Sequence, residues 1–186
     1  MCVIVVKPAG VQISIDTIRK CWAKNPHGAG IAFMDGDAVQ IKKGFMNLDE
    51  FLDYLSSINL TETNAVLHFR ISTSGGINPG MTHPFPISAE KEDLTASEIR
   101  TPVAVVHNGI IPTIPQPGLS DTATYIAETL LSRYKADPHF YDDEENRVVI
   151  LDEIQSKMVL VDTEYFYLIG EFFKRKGVYY SNLYWI

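Results

Sequence analysis

Residues 30–44 read GIAFMDGDAVQIKKG, a hairpin turning at Asp35-Gly36. Helix signals stand on both sides of it. Upstream, SIDTIRKCWAKN (14–25) carries Ile15, Ile18 and Trp22 near helical spacing, with Ser14 as cap. Downstream, Asn47 can cap a helix, Glu50 holds the capping-box position, and Leu48, Phe51, Leu52 and Leu55 form an apolar face. An antiparallel hairpin set between separate helices argues for an α+β chain.

The rest extends this pattern. CVIVVK (2–7) is a short run consistent with a buried strand, and NAVLHFRIS (64–72) and TPVAVVHNG (101–109) are further strands. SDTATYIAETLLSRYK (120–135) predicts a helix with Ile126, Leu130, Leu131 and Tyr134 on one stripe. KADPHFYDDEEN (135–146) reads as an acidic, exposed connection. KMVLVDT, YFYLIGEF and GVYYSNLYW are late β-rich segments. Two loops stand out, HFRISTSGGINPGMTHPFP (68–86) and NGIIPTIPQPGLSD (108–121). Both are rich in Gly, Pro, Ser and Asn, and loops of that length in a compact domain are often functional.

The 186 residues are expected to form a single domain, 1–186. A net charge of −7 argues against nonspecific binding to nucleic acid or to an acidic membrane. Two cysteines, Cys2 and Cys21, make no disulfide framework and point to a reducing compartment. No apolar run reaches membrane-span length. The stretch Val3 to Val6 is too short for a signal peptide and is followed at once by Lys7-Pro8. The expected location is therefore cytoplasmic. The five histidines are scattered without helical ligand spacing, so no metal and no other cofactor is expected.

Four places can carry chemistry, and each also has a plainer use. If Met1 is removed, Cys2 holds both a thiol and an α-amino group whose pKa of about 7.7–8.0 suits a general base. Equally, Cys2 can be a small buried hydrophobe at a strand start. Arg70 offers a planar fork to a carboxylate, with Ser72 and Thr73 beside it, or serves a local ion pair. The Asn108 amide and the Gly109 N–H can point at one oxygen as an oxyanion hole, or Asn-Gly is a plain turn. Asp121 can hold an ammonium at a helix entry, or complement the helix dipole behind a Ser120 cap.

Taken together, MC at the start, NPHGAGIAF (25–33), HFRISTSGG (68–76), THPF (82–85), VAVVHNGII (103–111) and SDTATYIAETL (120–130) resemble the glutaminase domain of class II glutamine amidotransferases. These belong to the N-terminal nucleophile hydrolases; the chain looks like the short stand-alone type. The resemblance covers residues 1 to about 131 and implies a four-layer αββα sandwich of two antiparallel sheets, the Ntn hydrolase fold. It assigns Cys2 as nucleophile and its own amino group as base, with Asn108 and Gly109 as the oxyanion hole. Arg70, helped by Thr73, would bind the α-carboxylate of glutamine, and Asp121 its α-amino group. Gly28 and Gly30 would let backbone pack close to the nucleophile. His83 would order its loop, and His107 and Ser74 are further supporting positions. Val3 stands where many members have glycine, and Ser74 where many have histidine. The short PTIPQPGL segment implies a more open pocket.

The expected reaction is hydrolysis of glutamine to glutamate and ammonia through a γ-glutamyl thioester. No residues remain for a synthase, so either a separate synthase subunit receives the ammonia or the chain simply hydrolyses an amide. Two alternatives are an amidohydrolase acting on another γ-glutamyl compound and an amidotransferase-like binding protein without activity.

Overall fold

The computed structural model describes residues 1–72 and 77–186. Its strands are β1 (Val3–Lys7), β2 (Ala29–Asp35), β3 (Ala38–Phe45), β4 (Ala65–Phe69), β5 (Phe85–Pro86), β6 (Glu98–Thr101), β7 (Ala104–Asn108), β8 (Lys157–Val161), β9 (Phe166–Ile169), β10 (Phe173–Arg175) and β11 (Val178–Tyr180). Its helices are α1 (Ile15–Lys24), α2 (Leu48–Ser56), α3 (Lys91–Thr95), α4 (Asp121–Tyr125), α5 (Leu131–Ala136) and α6 (Glu144–Ile154). The chain is mixed α and β with two antiparallel sheets. One runs β10-β11-β1-β4-β2-β3-β6 and the other β5-β7-β8-β9.

Strand alternation divides the core. Val3 and Val5 join Ala29, Ile31, Leu67 and Phe69 against Ile18 and Cys21 of α1 and Phe51 and Leu55 of α2. Their alternate neighbours, Ile4, Val6, Ala32, Val39, Ile41 and Val66, meet Ala104, Val106, Val159 and Val161 of the other sheet. Val105, Met158, Leu160 and Ile169 turn the opposite way, towards Ala123, Ile126, Leu130, Ile150 and Ile154 of the helices. Successive strand residues thus serve opposite faces, which a period-2 element requires. No described helix is long and apolar enough to cross a membrane.

The hairpin of residues 30–44 forms as β2 and β3, with Asp35 opposite Ala38 and therefore Gly36-Asp37 as the two-residue loop. Asn47 caps α2 by accepting from the Asp49 and Glu50 amides, and Ser14 caps α1 through Thr17. Elsewhere the structure corrects the sequence reading. Of the apolar positions expected in α1, Ile18 is buried and Trp22 packs against the same core beside Cys21, but Ile15 is exposed. Asn108-Gly109 is not a hairpin turn, because the next strand beside β7 is β8, which begins at Lys157. The helix after Ser120 passes through a π-helical stretch, Ile126–Leu130, before α5. The segment expected to be an exposed connection buries Phe140 and Tyr141 and leads into α6, which the sequence reading missed. Asp143 caps α6, yet the apolar run Val148 to Leu151 is contiguous instead of periodic: Ile150 and Ile154 are buried while Val148 and Val149 are exposed.

Register positions the site. Val3 and Ala29 both pair with Phe69, on opposite sides of β4. One residue further along, Cys2 and Gly28 therefore flank Arg70 at the same end of the larger sheet. The Arg70 amide donates to the Gly28 carbonyl at 2.8 Å.

Candidate active site

At that sheet end lies a cavity of about 330 Å³. Cys2, Arg70, Gly109 and Asp121 all line it, together with His83 and His107. Five segments distant in sequence supply them: the entry to β1, the exit of β4, the loop before β5, the end of β7 and the first turn of α4. Asn108 does not line this cavity; it lies in the wall of an adjoining one that shares Cys2 and Gly109. Thr73 and Ser74 lie outside the described residues.

Cys2 is half-buried, and its sulfur sits against the Ile71 backbone, 3.4 Å from the amide nitrogen and 3.5 Å from the carbonyl oxygen. Burial raises the thiol pKa above its ordinary value. The Ile71 N–H, the Met1 ammonium and the Arg70 guanidinium act against that rise. Arg70 is buried, which pushes its own pKa down, while Cys2 and Asp121 are both near enough to oppose the shift. Its Nη2 donates to Ser72 Oγ at 3.4 Å. Asp121 follows the Ser120 cap, whose side chain accepts from the Ala123 amide. Its Oδ2 accepts from the Ile111 amide at 2.7 Å, tying the loop after Gly109 to the helix entry. The result is one anionic and one cationic group facing a shared space beside a thiol.

The Asn108 side chain is buried, and its Nδ2 donates to Ser181 Oγ at 2.8 Å. One of the two amide hydrogens is so engaged, leaving the other for an acceptor. Gly109 adopts φ +154, and a Cβ there would lie 2.3 Å from Ser156 Cβ. Only glycine fits between the site and Ser156. At Gly30 an added Cβ would meet the His83 carbonyl at 2.2 Å and Lys43 Cβ at 2.7 Å. The space left by Gly30 is taken by the loop carrying His83, and that left by Gly28 by Thr82 and Met46. Neither glycine lines the cavity; both let the segment Thr82-His83, which carries part of its wall, pack close to β2.

The histidines scattered in sequence converge in space. His68, His83 and His107 are all buried, with ring centroids 4.4 Å apart for His68–His83 and 6.3 Å for His83–His107. Burial pushes all three towards the neutral form, His68 to about 3 and His107 to about 4, with His83 also well below its ordinary value. Among the described residues, neither ring nitrogen of His83 has a hydrogen-bond partner, whereas the His107 backbone bonds to the His68 ring and works against the fall in its pKa. No group of three His, Cys, Asp or Glu among the described residues is arranged to hold a metal ion. His107 is held at both nitrogens, by Thr122 Oγ1 at 2.9 Å and Ser156 Oγ at 2.7 Å. Because Ser156 donates its own proton to the Ile154 carbonyl, His107 Nε2 is the donor and Nδ1 accepts from Thr122.

Sequence reasoning missed the groups that hold this site in place. Asn182 Nδ2 donates to the Cys2 carbonyl at 2.7 Å. Ser181 Oγ accepts from the Ile4 amide at 2.9 Å as well as from Asn108, joining β1 to the end of β7. His27 Nδ1 accepts from the Ser72 amide at 2.9 Å. Lys43, buried beside the Phe85 ring, donates to the Gly80 and Leu94 carbonyls and braces the loop before His83. No local spacing in the sequence signals these contacts. Compared with known proteins, the chain matches no family model and no curated protein.

Proposed function

We propose that this chain is an N-terminal cysteine amidohydrolase with the four-layer αββα Ntn hydrolase arrangement, of the class II glutamine amidotransferase type. Its reaction is hydrolysis of the glutamine side-chain amide to glutamate and ammonia. The observation that carries this reading is the convergence of Cys2, Arg70 and Asp121 on one cavity of about 330 Å³. An α-amino acid presents a carboxylate and an ammonium at one end, and these match a guanidinium and a carboxylate. The electrophilic amide at the other end then meets the thiol. The separation of the core into a helix-facing, a sheet-facing and a second helix-facing cluster supports the layered fold.

Removal of Met1 makes the Cys2 α-amino group the general base, and the small side chain of Cys2 favours that removal. The amine takes the thiol proton and the sulfur attacks the amide carbon. Asn108 Nδ2 and the Gly109 N–H stabilise the oxyanion. The amide C–N bond breaks and ammonia leaves with the proton. Water then cleaves the thioester, releasing glutamate and restoring the thiol. His107, held neutral, packs behind Gly109 and orders the α4 entry through Thr122. The reading is tested by ammonia release from L-glutamine: Cys2→Ala abolishes it, and release unchanged by Cys2→Ala rejects it. A second reading, hydrolysis of a larger γ-glutamyl amide, is favoured by the adjoining cavity.

A further inference from the structure

The second cavity is larger, about 620 Å³, and touches the first at Cys2, Ile71 and Gly109. Ile110, Phe173, Leu183 and Tyr184 form much of its remaining wall. Phe173 is 39% exposed, Ile110 67% and Tyr184 69%, so large apolar side chains stand unburied around a hollow that opens at the nucleophile. Scattered exposed apolar residues are ordinary, but a concave cluster of them beside a reactive group is a binding feature. Lys157 lies within the wall, its Nζ donating to the Ser181 carbonyl at 2.6 Å and standing 5.2 Å from the Phe173 ring. Met1 is also part of this wall, and its removal widens the cavity at the Cys2 end.

Geometry constrains what each side of Cys2 can hold. An amide carbonyl attacked by the sulfur has an acyl portion on one side and an amine portion on the other. If Arg70 and Asp121 hold the acyl portion by its amino-acid end, the amine portion extends away from them. The Asn108 side of Cys2 is where the second cavity lies. Ammonia needs no such room, and apolar walls give it nothing to bind.

We propose that the second cavity is a leaving-group subsite for an apolar, preferably aromatic, amine, and that the substrates of this site extend beyond glutamine to N-substituted γ-glutamyl amides. This rests on the γ-glutamyl thioester chemistry proposed above. The sulfur–carbon bond forms, the amide C–N bond breaks, and the primary amine departs carrying the proton first taken from the thiol. Water then hydrolyses the thioester to glutamate. The amine, released into the second cavity, leaves through its open rim.

The test compares γ-L-glutamyl-benzylamide with γ-L-glutamyl-methylamide on the purified full chain, following glutamate release. Burial of one aromatic ring predicts a kcat/KM for the benzylamide about 10- to 100-fold higher. Ile110→Trp, at an exposed position where a larger side chain fits without unfolding the core, fills the cavity. It removes that preference, read as the ratio of the two kcat/KM values within the same variant. Phe173→Ser and Tyr184→Ser each lower benzylamide kcat/KM, chiefly through KM. Equal Cys2-dependent turnover of the two amides, or a preference that survives Ile110→Trp, overturns the subsite and leaves the thioester reading standing. Absence of Cys2-dependent turnover of glutamine and of both amides overturns the thioester reading, and the subsite with it.

Discussion

The Asn182 side-chain amide donates to the Cys2 carbonyl at 2.7 Å, across 180 residues of sequence. Asn182 is itself held, because its Oδ1 accepts from the Tyr184 amide and its carbonyl from Trp185 Nε1. The chain's last residues therefore set the direction in which its first ones enter the sheet. Asn182→Ala leaves the Cys2 carbonyl without that donor and is expected to cost about 1–3 kcal/mol of stability. Asn182→Asp keeps the Tyr184 acceptor but aims a carboxylate at a carbonyl, and is expected to be at least as damaging. Urea unfolding reads the stability and iodoacetamide labelling reads the exposure of Cys2. No change in either for both variants contradicts the clamp.

Gly109 is required by space as well as by backbone. Gly109→Ala drives a methyl into Ser156, 2.3 Å from its Cβ, and is expected to destabilise the chain by about 1–3 kcal/mol. Adding Ser156→Gly removes the colliding atom, so the double variant recovers part of the loss in a thermal melt. Additive losses from the two substitutions contradict the close approach.

The buried histidines make stability fall in mild acid. His68 and His107 titrate near 3 and 4 in the folded chain, and His83 is also depressed, whereas an unfolded histidine titrates near 6.5. Below about pH 6.5 the unfolded chain binds protons that the folded chain does not, so each histidine lowers stability by about 1.4 kcal/mol per pH unit. The contribution is whole above pH 6.5 and is lost progressively down to about pH 4 for His107 and about pH 3 for His68. Urea midpoints between pH 7.5 and 5 measure the slope. His68→Phe is expected to flatten it, and an unchanged slope contradicts a buried neutral ring there.

Arg70 and Asp121 are expected to act on binding through charge. Arg70→Met raises the KM for L-glutamine about 10- to 150-fold, the scale of a charge-assisted hydrogen bond, and Arg70→Lys by less. Asp121→Asn keeps an acceptor for the Ile111 amide, so the loop stays closed while the charge is lost. Its expected signature is a raised KM with thermal stability retained. A fall in kcat alone, with KM unchanged, contradicts the assignment of these two groups to the amino-acid end.

Much of this site was legible in the sequence, for local reasons. The Asp35-Gly36 signal located the hairpin to within one residue, and Asn47 capped the helix it was expected to cap. Cys2, Arg70, Gly109 and Asp121 each follow or precede a strand or helix that local pattern reveals, and they line one cavity. Other features depend on tertiary pairing. α6 escaped because burial of Ile150 and Ile154 is disguised by exposed Val148 and Val149 beside them. Ser181 and Asn182 read as part of a closing β segment, and only the pairing of β11 with β1 brings them to Cys2. The histidines carried no ligand spacing: His68 stands in β4 and His107 in β7, and His83 reaches both from the loop before β5.

The central claim is that Cys2 becomes an N-terminal nucleophile facing a pocket shaped for a γ-glutamyl group. The most direct measurement is the intact mass of the purified protein before and after exposure to a reactive diazo-ketone analogue of glutamine. The account predicts loss of Met1 and one adduct, absent in Cys2→Ala and slowed in Arg70→Met. A retained Met1 with no adduct, or an adduct that persists in Cys2→Ala, contradicts it.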